Sequence, residues 1–300
     1  MPTVVHVGLH KTATTSLQLN LFKNSARPYF GLHCSPGWET ERLEWFPALM
    51  SGGFPPPQAG DGPFVFSDES ILLRAGGLEG VTTLATSIRD RFSNPRVLVT
   101  ARKPSLLLVS TYFQSLRVRR IAIGFRNGQA ICQDSLRFAD FANWWVLAKV
   151  NYQNSIAGLV DYAELLSRLR GVLGTDGVEV LPVEWINSAP DKYTNGLRRL
   201  GFTDEEATNF LGTSAENTRD SKSLDRARPW LYAAGKRLAT TTTGERFSNM
   251  LPGPAKGLAE RLIYSARRTN EPVGGPEPSL LASIDSEYDA SWRQVVEPYR

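Results

Sequence analysis

Apolar positions in this chain fall in short, nearly unbroken runs. Residues 4–7 (Val-Val-His-Val), 63–67 (Pro-Phe-Val-Phe-Ser), 96–101 (Arg-Val-Leu-Val-Thr-Ala) and 178–182 (Val-Glu-Val-Leu-Pro) are dominated by β-branched and aromatic side chains. Such runs predict strands buried on both faces. Residues 29–34 read as a short additional strand. Between the runs, apolar residues recur at helical spacing, which predicts helices over 17–23, 78–92, 104–120, 138–150 and 159–173. Pro28 must end the first, Pro104 suits the opening turn of the third, and Gly174 closes the last. Residues 187–212 read as two short helices, and 225–238, 255–268 and 280–299 as three more. Residues 37–62 hold Pro55-Pro56-Pro57 and read as a loop with a brief helix over 39–49. Residues 121–135, with Gly124 and Gly128, read as a loop or lid, and 216–224 as a polar loop.

Buried strands alternating with helices imply a parallel sheet with helices on both faces, a three-layer α/β sandwich. Residues 1–300 read as a single domain, with a core over 1–215 and a mostly helical C-terminal region over 216–300 packed on it. In such sheets ligands bind beyond the strand C-termini. Polar residues follow the strands there: Lys11 and its threonines, Asp68-Glu69, Arg102 and Glu184.

Composition narrows the function classes. Net charge is +4 and 41% of residues are hydrophobic, with a sequence pI of about 9.1. A mildly basic chain suits a small anionic ligand and falls short of what nucleic-acid binding demands. Cys34 and Cys132 have no metal-ligand spacing, and their scarcity fits a reducing compartment. No apolar run reaches the roughly 18 residues of a membrane-spanning helix. With the first strand beginning almost at Met1, a cytoplasmic protein is expected.

The chemistry concentrates in Val4-Val5-His6-Val7-Gly8-Leu9-His10-Lys11-Thr12-Ala13-Thr14-Thr15-Ser16-Leu17. A strand, a glycine turn, a lysine, a run of hydroxyls and a helix form the layout of a phosphate cradle, where free N–H groups and a lysine face an anion. Gly8 is expected to supply backbone angles closed to other residues. The Walker motif G-x-x-x-x-G-K-[ST] is not met: Gly8 stands three residues before Lys11, and no glycine directly precedes the lysine. An ordinary strand–helix corner would need only one capping hydroxyl. A second anion site is offered by Arg102, directly after the third long run, and Ser110 eight residues later. Arginine grips phosphate through a fork of donors.

G-x-x-K-T-x-T-T-S-L resembles the 5′-phosphosulfate loop of sulfotransferases that use 3′-phosphoadenosine-5′-phosphosulfate, many of which have glycine where this chain has Ala13. Arg102 with Ser110 resembles their 3′-phosphate site. The resemblance implies a P-loop NTPase-like fold with a helical C-terminal extension. It also implies binding of this donor, and of its bisphosphate product, by His10, Lys11, Thr12, Ala13, Thr14, Thr15, Ser16, Arg102 and Ser110. The resemblance extends to residues 216–223, where relatives often place an asparagine and a serine; Asn217 is the expected donor contact there, and Lys222, near it, reads as a residue that closes over the donor. No metal is required, because protein cations neutralise the leaving group. The implied reaction moves a sulfuryl group to a hydroxyl or amine of a carbohydrate or small-molecule acceptor. Lys11 would stabilise the leaving phosphate.

Glu69 is the candidate base, just past the second run, where carbohydrate sulfotransferases carry a glutamate. Asp68, which alternates to the other side of an extended chain, and His10 are the other candidates. His6, between valines, reads as structural. Arg117, Arg119, Arg120 and Arg126 read as completing the 3′-phosphate site or meeting an acidic acceptor, and equally as a solvated basic face. Trp144, Trp145 and Tyr152 read as an acceptor surface or as core. Two rival functions remain open in the sequence: a small-molecule kinase, with a magnesium-binding acid at Asp68-Glu69, and a nucleotide-binding module without chemistry.

Overall fold

The structure is a computed structural model that describes residues 1–9, 12–31, 63–118, 120–126, 129–134, 141–220 and 276–297. Within 113–134 and 214–220 it describes the backbone alone. Strands β1 (Thr3–His6), β2 (Tyr29–Gly31), β3 (Val65–Ser67), β4 (Pro95–Ala101) and β7 (Val178–Pro182) form one sheet in the order β2-β3-β1-β4-β7. Every pairing is parallel. The chain moves from β1 to one side of it, through β2 and β3, and then crosses to β4 on the other side. The C-terminal end of β1 is therefore the switch point, the place where parallel sheets open a ligand crevice.

Alternation along each strand sends side chains to two faces. Val5, Val7, Phe66, Val97, Val99 and Val180 join one core with α3 (Leu78–Arg91), α5 (Phe141–Val150) and α7 (Tyr162–Leu173). Val4, Val65, Leu98 and Leu181 face a second core. It is built with the helical run Thr14–Phe22, with α8 (Trp185–Ser188) and α9 (Pro190–Arg199), and with α10 (Asp204–Asp220). The last helix, α11 (Pro278–Val296), adds Ile284, Tyr288 and Val295 to the first core. Among the described residues no helix is long and apolar enough to cross a membrane.

Three departures from the sequence expectation have physical causes. The described residues within 121–135 are not a loop: Arg120–Arg126 (β5) and Gln129–Asp134 (β6) pair as antiparallel strands. The two strands stand two residues apart in sequence, the spacing of a tight hairpin. Residues 216–220 are helical, the last part of α10, whose single long amphipathic run carries through the polar end. The run 17–23 begins as an α-turn over Thr14–Ser16 and continues as a π-helix over Leu17–Phe22, with the Lys23 N–H reaching the Gln18 carbonyl at 3.1 Å. Such π-turns admit one extra residue per turn and concentrate at functional sites. The expected elements over 37–62, 225–238 and 255–268 lie outside the described residues.

Candidate active site

The ends of β3, β1 and β4, adjacent in the sheet, bring Glu69, Thr14 and Arg102 to one edge. Beyond β3 the two carboxylates part. Asp68 is 4% exposed. It accepts the Ser70 N–H at 2.9 Å and the Ser70 hydroxyl at 2.6 Å, and pairs with Arg74 at 3.4 Å. It thus closes the turn into the short helix α2 (Ile71–Arg74). Glu69 is half-buried and turns the other way, where its Oε2 accepts the Thr14 hydroxyl. The sheet edge and the loop after β1 are tied by that bond.

The hydroxyl run divides in the same manner. Thr12 and Thr14 are buried, Thr15 is exposed, and Ser16 is partly covered, with its Oγ accepting the Asn20 amide at 3.2 Å. The Thr12 hydroxyl is committed inward, donating to the Leu9 carbonyl at 2.5 Å. For any anion at this corner Thr12 can offer its backbone N–H but not its hydroxyl. His10, Lys11 and Lys222 lie outside the described residues, and of Asn217 only its place in α10 is described.

Gly8 has a different role from the one its sequence position suggests. Among the described residues its φ is not positive. A Cβ there would overlap the Thr100 hydroxyl and the His6 imidazole, so glycine is required by close approach. The left-handed residue is Ala13, at φ 59° and ψ 18°. An L-residue there carries about 1–2 kcal/mol of strain. We predict that Ala13→Gly raises stability by about 0.5–1 kcal/mol, the relief of strain outweighing the entropy of the added glycine. Urea unfolding checks this, and a loss of about 1 kcal/mol, usual for glycine at ordinary helical angles, would contradict the geometry.

At the end of β4 the expected pair meets: Arg102 Nη1 donates to Ser110 Oγ on α4 (Pro104–Val118) at 3.0 Å. The backbone of Arg102 is clamped by one phenol. Its N–H donates to the Tyr162 hydroxyl at 3.0 Å, and that hydroxyl donates to the Arg102 carbonyl at 2.8 Å. Burial pushes the Tyr162 phenol above its ordinary range. Glu184, the polar residue after β7, accepts the Lys103 N–H at 3.0 Å, and Lys103 Nζ pairs with Asp285 of α11 at 2.7 Å. Glu184 therefore shapes the Arg102 turn, as Tyr162 does. Trp144 and Trp145 are core residues, 2% and 4% exposed. Tyr152 donates to Asp161 at 2.6 Å. Of the basic run, Arg119 lies outside the described residues, while Arg117, Arg120 and Arg126 are placed by backbone only.

A buried polar set beneath the loop was not anticipated. His6 Nδ1 lies 2.7 Å from Ser67 Oγ and Nε2 lies 3.1 Å from Thr100 Oγ1. Thr100 in turn lies 2.6 Å from Thr12 Oγ1, and Gln18 Nε2 donates to Ser67 at 3.0 Å. The signal was present in the runs: β1, β3 and β4 each place a polar residue on the same face, two positions after Val4, Val65 and Leu98. Burial lowers the His6 pKa from 6.5 to about 4 against the opposing pull of the Glu69 charge. The native imidazole stays neutral where the unfolded one takes up a proton, so stability declines as pH falls from about 6.5 towards 4. We expect a loss of about 2 kcal/mol between about pH 7 and 5, read by urea unfolding. A flat profile would contradict it.

No family model matches the chain, and no curated protein does. Among solved structures the chain is similar to a crystal structure of a sulfotransferase from Alicyclobacillus acidocaldarius. That likeness has 14% identity and a TM-score of 0.43, over 68% of this chain and 82% of that one. What the site can do chemically follows from its own residues.

Proposed function

We propose that the protein is a sulfotransferase that takes 3′-phosphoadenosine-5′-phosphosulfate as donor and a hydroxyl or amine of a carbohydrate or small molecule as acceptor. One observation carries this reading. Glu69 and Thr14 meet at the ends of β3 and β1, and the Arg102–Ser110 pair stands at the same edge on the next strand, β4. An acid, a hydroxyl-rich loop and an arginine–serine pair on three adjacent strands suit a donor with anionic groups at both its 5′ and 3′ positions. The fit is in the donor chemistry. A guanidinium already aligned with a hydroxyl is a bidentate-capable phosphate grip.

The donor supplies the sulfuryl group that passes to the acceptor oxygen or nitrogen. Glu69 takes the acceptor proton. Thr14, donating to Glu69 Oε2, aims the carboxylate. Asp68, committed to Ser70 and Arg74, is poorly placed for that proton. Lys11 and the loop N–H groups neutralise the leaving phosphate. Arg102 and Ser110 hold the 3′-phosphate, which separates this donor from ATP.

Thermal shift tests the reading. Adenosine 3′,5′-bisphosphate at a hundredfold excess over its Kd should stabilise the protein by about 2.7 kcal/mol, a rise of several degrees in Tm, with ATP giving much less. Arg102→Ala should remove the preference. Preference for ATP, together with a magnesium requirement, would replace this reading by the kinase.

A further inference from the structure

The buried polar set under the loop has a definite direction. Thr12 has one proton and gives it to the Leu9 carbonyl. Across the 2.6 Å contact, then, Thr100 must donate to Thr12. Thr100 has no second proton, so it accepts from His6, and His6 must carry its proton on Nε2. Nδ1 is left bare and accepts from Ser67, which accepts from Gln18. Every proton runs one way, from Gln18 on the π-helix through three strands to a loop carbonyl. Gly8 lies directly on the middle of this chain, with no room for a methyl group between its backbone and the His6–Thr100 bond. His6 has no exposure and its ring edge packs on Phe22 at 5.4 Å. Among the described residues, Glu69 is the charged group that acts on it.

We propose that His6 is the positioning residue of the loop: as the neutral Nε2–H tautomer it completes the hydrogen-bond chain that holds Leu9 and Thr12, the two residues bracketing 10 and 11. It touches no ligand. Its effect passes through Thr100 and Thr12, and it rests on the reading above in that the loop serves the donor's 5′-phosphate. Two readouts need no ligand. In ¹⁵N-histidine spectra of the full chain at neutral pH, His6 should show a protonated Nε2 and a bare Nδ1. In Thr100→Val, which keeps the shape and removes both hydrogen bonds, amide exchange at Leu17, whose N–H donates to the Ala13 carbonyl at 3.1 Å, should speed up at least about tenfold relative to amides of β4. The third readout is binding. Thr100→Val should weaken adenosine 3′,5′-bisphosphate about tenfold or more, as expected when a buried hydrogen-bond chain is broken, and leave adenosine 3′-monophosphate unchanged.

A merely structural His6 would lower stability without separating the two nucleotides. An Nδ1–H tautomer, a charged imidazole at neutral pH, or unchanged loop exchange would overturn the proposal. If Thr100→Val does not fold, the tautomer measured in the native protein decides. If the native protein does not favour the bisphosphate over the 3′-monophosphate, the sulfotransferase reading falls, while tautomer and exchange still decide the role of His6.

Discussion

Glu69→Gln should lower turnover by about a hundredfold to ten-thousandfold, the range that general-base catalysis supplies, and leave binding of adenosine 3′,5′-bisphosphate within about threefold of the native protein. The substitution keeps the side chain's shape and an acceptor oxygen for the Thr14 hydroxyl, so the bond between loop and sheet edge survives. What it removes is the ability to take a proton. The split between lost kcat and retained donor affinity separates chemistry from architecture: an enzyme using Glu69 as base loses the first alone, and a nucleotide-binding module has no turnover to lose. Asp68→Asn is the companion. It breaks the pairing with Arg74 and weakens the turn into α2, so its expected effect is on stability. If Asp68→Asn abolished transfer in a folded protein while Glu69→Gln did not, the base would be misassigned.

The layered fold was legible because it depends on patterns that sequence carries openly. Runs such as Val97-Leu98-Val99 can be satisfied only between two layers of helices, and strict alternation then divides Val4 from Val5 and Leu98 from Val99. The positions of Glu69 and Arg102 at strand ends were legible for the same reason, since each strand end is visible as the place where apolar character stops. Arg102 with Ser110, eight positions apart on a strand end and the helix after it, needed only that local geometry.

What stayed hidden depends on contacts between distant segments. Tyr162 reads in sequence as one more apolar residue of an amphipathic helix, yet its hydroxyl fixes the backbone of Arg102, 60 positions away. Thr100 and Ser67 look like minor interruptions of apolar strands until His6 is set between them. Gly8 was correctly marked as necessary and given the wrong reason, because conformational freedom and lack of space leave the same letter in a sequence. Ala13 shows the converse. A residue that sequence treats as ordinary sits at the left-handed position of the loop, the place where the sulfotransferases it resembles often carry glycine.

Lys11→Ala should lower kcat by about a hundredfold to a thousandfold, the loss usual when one group that meets developing charge is removed. In the proposed reaction negative charge grows on the bridging oxygen of the leaving phosphate, and a cation that meets it there is worth more at that moment than in the ground state. The loop context argues that its neighbours will not collapse on substitution. Leu9 before it and Thr12 after it are held by their own hydrogen bond and by the chain through Thr100 to His6, none of which uses a lysine side chain. The kinetic pattern discriminates between roles. A lysine that only binds the donor raises KM and spares kcat, whereas one that stabilises the leaving group lowers kcat and kcat/KM together. Lys11→Arg restores the charge with altered reach and should recover part of the lost kcat. If Lys11→Ala keeps kcat within about threefold of the native protein, the leaving-group role is wrong, and the donor's charge must be met by other cations at the same sheet edge.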